Sequence, residues 1–136
     1  MIGRDERGGS VYILAIMSLA SIMLLLGLVV DGGAKVAAAT EAEAAAAAAA
    51  RAGVNAAAPA QLAGYPADTA AAAQAARSHL IQAGVHGTVT VLPWGNLQVT
   101  TSQTRPTVFL SMIGINQVTG TGHAEANLVR TGEQPR

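Results

Sequence analysis

The chain has 136 residues and carries eight basic against eight acidic side chains, for a formal charge of zero with only 12% of residues charged. This leaves room for one small domain plus an anchor, and it supplies no basic field for nucleic acid or acidic lipid. The absence of cysteine excludes disulfide scaffolds, thiolate metal sites and cysteine nucleophiles; with 3% aromatics, any core is built mostly from Ala, Val and Leu and is shallow.

Residues 1–10, "MIGRDERGGS", form a polar flank. The twenty residues from Val11 to Val30, "VYILAIMSLASIMLLLGLVV", contain no charge. As a helix this stretch spans about 30 Å, the thickness of a bilayer's hydrocarbon core. A signal-peptide apolar core usually runs about 7–15 residues, so a retained transmembrane helix is expected here. Arg4 and Arg7 before the span, with only Lys35 soon after it, predict a cytoplasmic N-terminus and an extracytoplasmic C-terminal domain in a single-pass cell-membrane protein. Ala15, Ser18, Ala20, Ser21 and Gly27 punctuate the span. These small residues either let another helix approach closely or are simply tolerated by lipid.

Asp31, Gly32 and Gly33 mark the exit into water. No proline follows, and residues 31–53 read as an alanine-rich extension of the same helix, with Asp31 and Lys35 spaced for an i, i+4 pair. Arg51 and Gly53 suit a helix C-terminus, so one rod from about Val11 to Ala52 is expected, hinged or bent near Gly32. An alanine surface such as that around Ala47 lets a partner element pack at short range.

Residues 54–130 read as a small α+β domain. "NAAAPAQLAGYPAD" is a connector, and Asp68 is the N-cap of a second helix, "TAAAAQAARSHLIQA", with Ala73, Ala76 and Leu80 on one face and Gly84 at its end. "VHGTVTVLP" and "LQVTT" alternate as strands around a "PWGN" turn. "TRPTVFLSMIGI" has helical spacing at Val108, Phe109, Met112 and Ile113, with Pro106 in a first turn; a buried strand is the rival reading. "VTGTGHAEANLV" alternates again, with Val118, Gly120, Gly122, Ala124, Ala126 and Leu128 on one side. Such small residues fit a strand lying close against an alanine-rich helix. Residues 131–136 read as a disordered tail.

The fold expected is therefore α+β: a long N-terminal transmembrane helix continuing into an Ala-rich helix, a second helix and a small antiparallel β-sheet. That arrangement is pilin-like. The stretch "DERGGSVYILAIMSLASIMLLLGLVVDGGAKVAAATEAEAAAAAAARAG" resembles the N-terminal module of TadE/TadG-like proteins of the tight-adherence (Flp-type) pilus machinery, through "ERG" before the membrane, the apolar span, "GLVVDGG" at its exit and the alanine-rich helix. "PTVFLSMIGINQVTGTGHAEA" looks like the terminal helix-and-strand region of many TadE-like chains. The resemblance implies a minor pilin, pseudopilin or assembly-platform component without catalysis, whose partners are the membrane and other pilus-assembly subunits. Processed prepilins of this kind are cut after glycine and carry glutamate at the fifth mature position. Cutting after Gly8 or Gly9 places Ile13 or Leu14 there, which argues for a retained N-terminus.

No catalytic motif or phosphate-binding glycine loop accompanies these features, and no cofactor, metal or small-molecule substrate is expected. His79 and His86 lack ligand partners at characteristic spacing, while His123 and Glu125 share a strand face already explained by polar alternation. Trp94, at a hairpin tip, is a candidate partner contact, although in a chain so poor in aromatics it is expected to fold back over the sheet. The membrane-exit and packing residues singled out are Asp31, Gly32, Gly33, Ala15, Ser18, Gly27 and Ala47. A secreted small adhesin or binding domain, released by conventional signal cleavage, is the alternative reading.

Overall fold

The computed structural model describes residues 6–128, with side chains from Gly8 onward. Arg4 and the 131–136 tail, to which orientation and disorder were assigned, lie outside the described residues. Helix α1 runs without interruption from Glu6 to Leu62, 57 residues and about 85 Å. It continues through Gly32 and Gly33 as regular α-helix, as the high intrinsic propensity of the flanking alanines allows.

The helix does not end at Gly53. It passes through Pro59, whose missing N–H removes one helical bond close to the end of the rod, and stops ten residues later than the sequence led us to expect. Gly53 is instead a packing residue: a Cβ there would lie 2.3 Å from Leu97 Cδ2 and 3.0 Å from the Ala72 carbonyl oxygen. The terminating glycine is Gly64, at φ 84°, where Tyr65 N–H reaches the Ala60 carbonyl and Gly64 N–H the Gln61 carbonyl. Much of the expected connector is therefore helix.

Helix α2 (Thr69–Ala83) has the caps expected of it. The Asp68 carboxylate accepts from Ala71 N–H at 2.9 Å, and Gly84 takes the left-handed conformation at its end. Its buried residues are Ala72, Ala73, Ala76 and Leu80.

Three strands form an antiparallel meander in the order β1 (His86–Val91), β2 (Asn96–Pro106), β3 (Gln117–Asn127). The register sets Val89 beside Val99, Leu97 beside Ala126 and Thr101 beside Gly122. Pro106, expected in the first turn of a helix, is the last residue of β2, at the end of a strand where its missing donor is tolerated. The expected helix contracts to a single 3-10 turn, Leu110–Ile113, with no buried residue of its own, so its apolar side chains find no protein core to bury against.

The sheet lies on the alanine-rich part of α1, and the contact is as close as backbone permits. A Cβ on Gly120 would meet Ala39 N at 2.1 Å, and one on Gly122 would meet the Ala42 carbonyl carbon at 2.2 Å. The two glycines thus let β3 rest on the helix main chain itself. On β2 opposite Gly122, Thr101 is 1% exposed and donates its hydroxyl to the Ala42 carbonyl at 2.6 Å. Leu97 and Val99 fill the remaining inner face, sealed by Ala46, Ala49, Ala50 and Ala57 of α1 and by α2. A large share of this core is alanine, which limits the apolar area each residue removes from water.

Candidate functional site

The chemistry-bearing residues in the described part of the chain are sparse and scattered. His79 is on α2, and His86 opens β1. His123 Nε2 lies 3.5 Å from Glu125 Oε1 on the solvent face of β3, where Gln98 also donates to Glu125 at 3.1 Å. Among the described residues no group of three or more His, Cys, Asp or Glu side chains is placed to hold a metal.

The one concentrated constellation among the described residues is at the end of the apolar stretch. Asp31 follows Val30 on α1 and is 1% exposed. Its carboxylate does not turn to Lys35, as the i, i+4 spacing suggested. Instead Oδ1 accepts from Val108 N–H at 2.8 Å, and Oδ2 accepts from Phe109 N–H at 3.0 Å and Leu110 N–H at 2.6 Å. Three successive backbone donors aimed at one carboxylate make a nest for the negative charge. The Val108 N–H is the largest influence holding the Asp31 carboxyl below the usual carboxylate range; burial opposes it, and the Leu110 and Phe109 donors add to it.

One turn earlier on the same face, Gly27 is buried, and a Cβ on it would come 2.8 Å from Phe109 Cβ. Asp31 and Gly27 together pin the β2–β3 connection, residues 107–116, against α1 where the apolar stretch ends. Thr107 N–H closes the base of that loop on the Asn116 carbonyl at 3.1 Å.

The other residues singled out in the sequence do not join this cluster. Gly32 and Gly33 are exposed, and a Cβ added to either would have nothing within 4 Å. Ala15 and Ser18 face outward on the apolar stretch, as does Ser21, whose hydroxyl is satisfied within its own helix by the Met17 carbonyl at 2.8 Å. Ala47 is half-buried and lines a shallow groove of about 260 Å³ between α1 and β3, with Arg51, Val54, Asn55 and Ala124. Trp94 does not fold back over the sheet. It is 85% exposed on the β1–β2 turn, and the turn's Gly95 carbonyl accepts from Leu128 N–H, while Gln61 near the far end of α1 donates to the Leu128 carbonyl. Trp94 is thus at the opposite end of the domain from Asp31.

The 107–116 loop escaped the sequence reading as a partner of Asp31. One signal was present: an acidic residue directly after a long apolar run, for which the only nearby cation in sequence was Lys35. Comparison of the chain with protein-family models, curated proteins and solved structures returned no match.

Proposed function

We propose that the protein is a single-pass membrane component of a Tad/Flp-type pilus assembly or secretion apparatus, a minor pilin-like or pseudopilin-like subunit that acts by helix packing with partner subunits. Its α1 contains a stretch long and apolar enough to cross a membrane, with mean hydropathy 2.8 in the most apolar window and 6% of that window buried. The observation that carries the proposal is the division of this one helix. Its first part is bare and bulky, and its second is an alanine spine on which a small sheet rests by main-chain contact.

The buried positions Gly27 and Asp31 favour an anchor that stays attached. Cleavage downstream of Asp31 would strip both from the loop they hold, whereas a secretion signal is normally dispensable to the domain it delivers. The cytoplasmic N-terminus follows from Arg4 and Arg7. The Tad/Flp assignment rests on "ERG", the span, "GLVVDGG" and the alanine helix taken together.

The test is made in the source cells. Disruption of the gene should remove or thin the surface fibres, and the wild-type chain should restore them. Ala47→Leu, in the groove wall, should restore membrane insertion but not fibres. The intact mass of protein from washed membranes should be that of the full chain. A shorter chain released from the membrane, or fibres indifferent to the gene, would overturn the proposal.

A further inference from the structure

We propose that the 107–116 loop is a second membrane-contacting element, which seats its apolar tip in the leaflet on the side of the folded domain, beside the end of the span. This rests on the reading of residues 11–30 as a span.

Position is the first argument. Phe109 packs on Gly27, three residues inside the last position of the apolar stretch, or about 4.5 Å along the helix. The loop is therefore held at the depth where the hydrocarbon ends. Composition is the second. From Pro106 to Gly122 the chain has no charged residue. Among the described residues beyond the span, nine large apolar side chains are exposed, and four of the nine belong to this single loop: Val108, Met112, Ile113 and Ile115. Met112 and Ile113 are 83% and 73% exposed. Such a cluster, contiguous with a membrane-crossing surface, matches the apolar face of an interfacial element.

Backbone satisfaction is the third argument, and it separates this loop from an ordinary solvent turn. Non-helical backbone tolerates a lipid boundary only if its polar groups are paired within the protein. Val108, Phe109 and Leu110 give their N–H groups to Asp31. Thr107, Met112, Gly114 and Ile115 give theirs to loop carbonyls, and the hydroxyls of Thr107 and Ser111 donate to the carbonyls of Ile115 and Val108. At least seven of the ten backbone N–H groups in 107–116 are thereby satisfied without water. Asp31 acts as the device that lets this loop lie where water thins.

The experiment uses the full chain in phosphatidylcholine vesicles, with Trp94→Phe as background so that one tryptophan is introduced at a time. Met112→Trp reports the loop and Leu19→Trp reports the span; brominated phosphatidylcholines carry bromine either near the headgroup or at mid-chain. Met112→Trp should lose emission mainly to shallow bromine and shift to the blue, Leu19→Trp should lose it mainly to deep bromine, and Trp94 in the unaltered chain should lose little to either. Quenching of Leu19→Trp with none of Met112→Trp overturns the inference and leaves the span standing. No quenching of Leu19→Trp overturns both. A blue shift of Met112→Trp that ignores bromine and fades as protein is diluted among vesicles places the loop against a second copy, and also overturns the inference.

Discussion

The two parts of α1 invert the usual relation between side-chain size and burial. From Val11 to Val30 the helix carries Leu, Ile, Met and Val, and most of them are more than half exposed, for example Leu24 at 76% and Val29 at 71%. From Ala38 to Ala57 it carries mainly alanine, and Ala38, Ala42, Ala46 and Ala49 are wholly buried. A water-soluble domain places its largest apolar side chains inside, because they remove the most area from water. Here they stand outside, the arrangement expected of the membrane span proposed above. The alanines are inside for a geometric reason: only a thin helix lets glycine-bearing β3 reach its main chain. One helix thus presents two kinds of surface, bulky and apolar before Gly27–Asp31 and small and packed after it.

The largest effect that separates the two parts is expected from Gly120→Val. The new side chain has no room against Ala38 and Ala39, so the domain should lose more than about 3 kcal/mol or fail to fold, as seen by proteolysis and circular dichroism. Carbonate-resistant membrane association should persist. Leu19→Arg is the converse change. An arginine at the middle of a span costs roughly 3 kcal/mol of insertion, so carbonate extraction should release the protein while the domain keeps its protease resistance.

A smaller effect should come from the junction. Asp31 has a lowered pKa in the folded chain, so its clamp is present above the ordinary carboxylate pKa and is lost only as pH falls through the lowered value. Amide exchange at Val108, Phe109 and Leu110, corrected for its intrinsic pH dependence, should therefore stay slow from neutral pH down to about 4. Asp31→Ala should speed it at neutral pH; unchanged exchange would mean that the loop is held by its apolar contacts alone. The smallest effect is expected at the exposed Glu41–Arg105 ion pair, which links α1 to the end of β2. Glu41→Ala should alter unfolding by no more than about 1 kcal/mol, and the difference should shrink with added salt.

Local chemistry carried much of this fold in legible form. The uncharged run fixes a membrane-length helix, Asp68 and Gly84 delimit α2, and the alternation of Thr with Val, Gly and Ala marks the strands and tells which face of β3 meets the helix. These features depend on propensity, periodicity and capping, which act within a few residues. Where α1 stops was less legible, because Gly53 and Pro59 are usual helix breakers and only tertiary packing shows that Gly53 is there to admit Leu97 and the α2 backbone. The helical spacing of Val108, Phe109, Met112 and Ile113 misled for a related reason: periodicity reports a helix when one face has a core to bury against, and of these four only Phe109 packs within the chain, on Gly27, while the other three are exposed.

The sequence by itself determined the long apolar helix, the second helix, the alternating strands and the small-residue face of β3. Only the tertiary structure decided that Asp31 serves amides 77–79 positions away, that Phe109 rests on Gly27 and that Trp94 stands out at the far end. The physical reason is that a carboxylate and a bare turn of backbone carry no mark of each other in sequence. They meet because β2 and β3, aligned along the alanine helix, return their connection to the point where that helix leaves its apolar stretch.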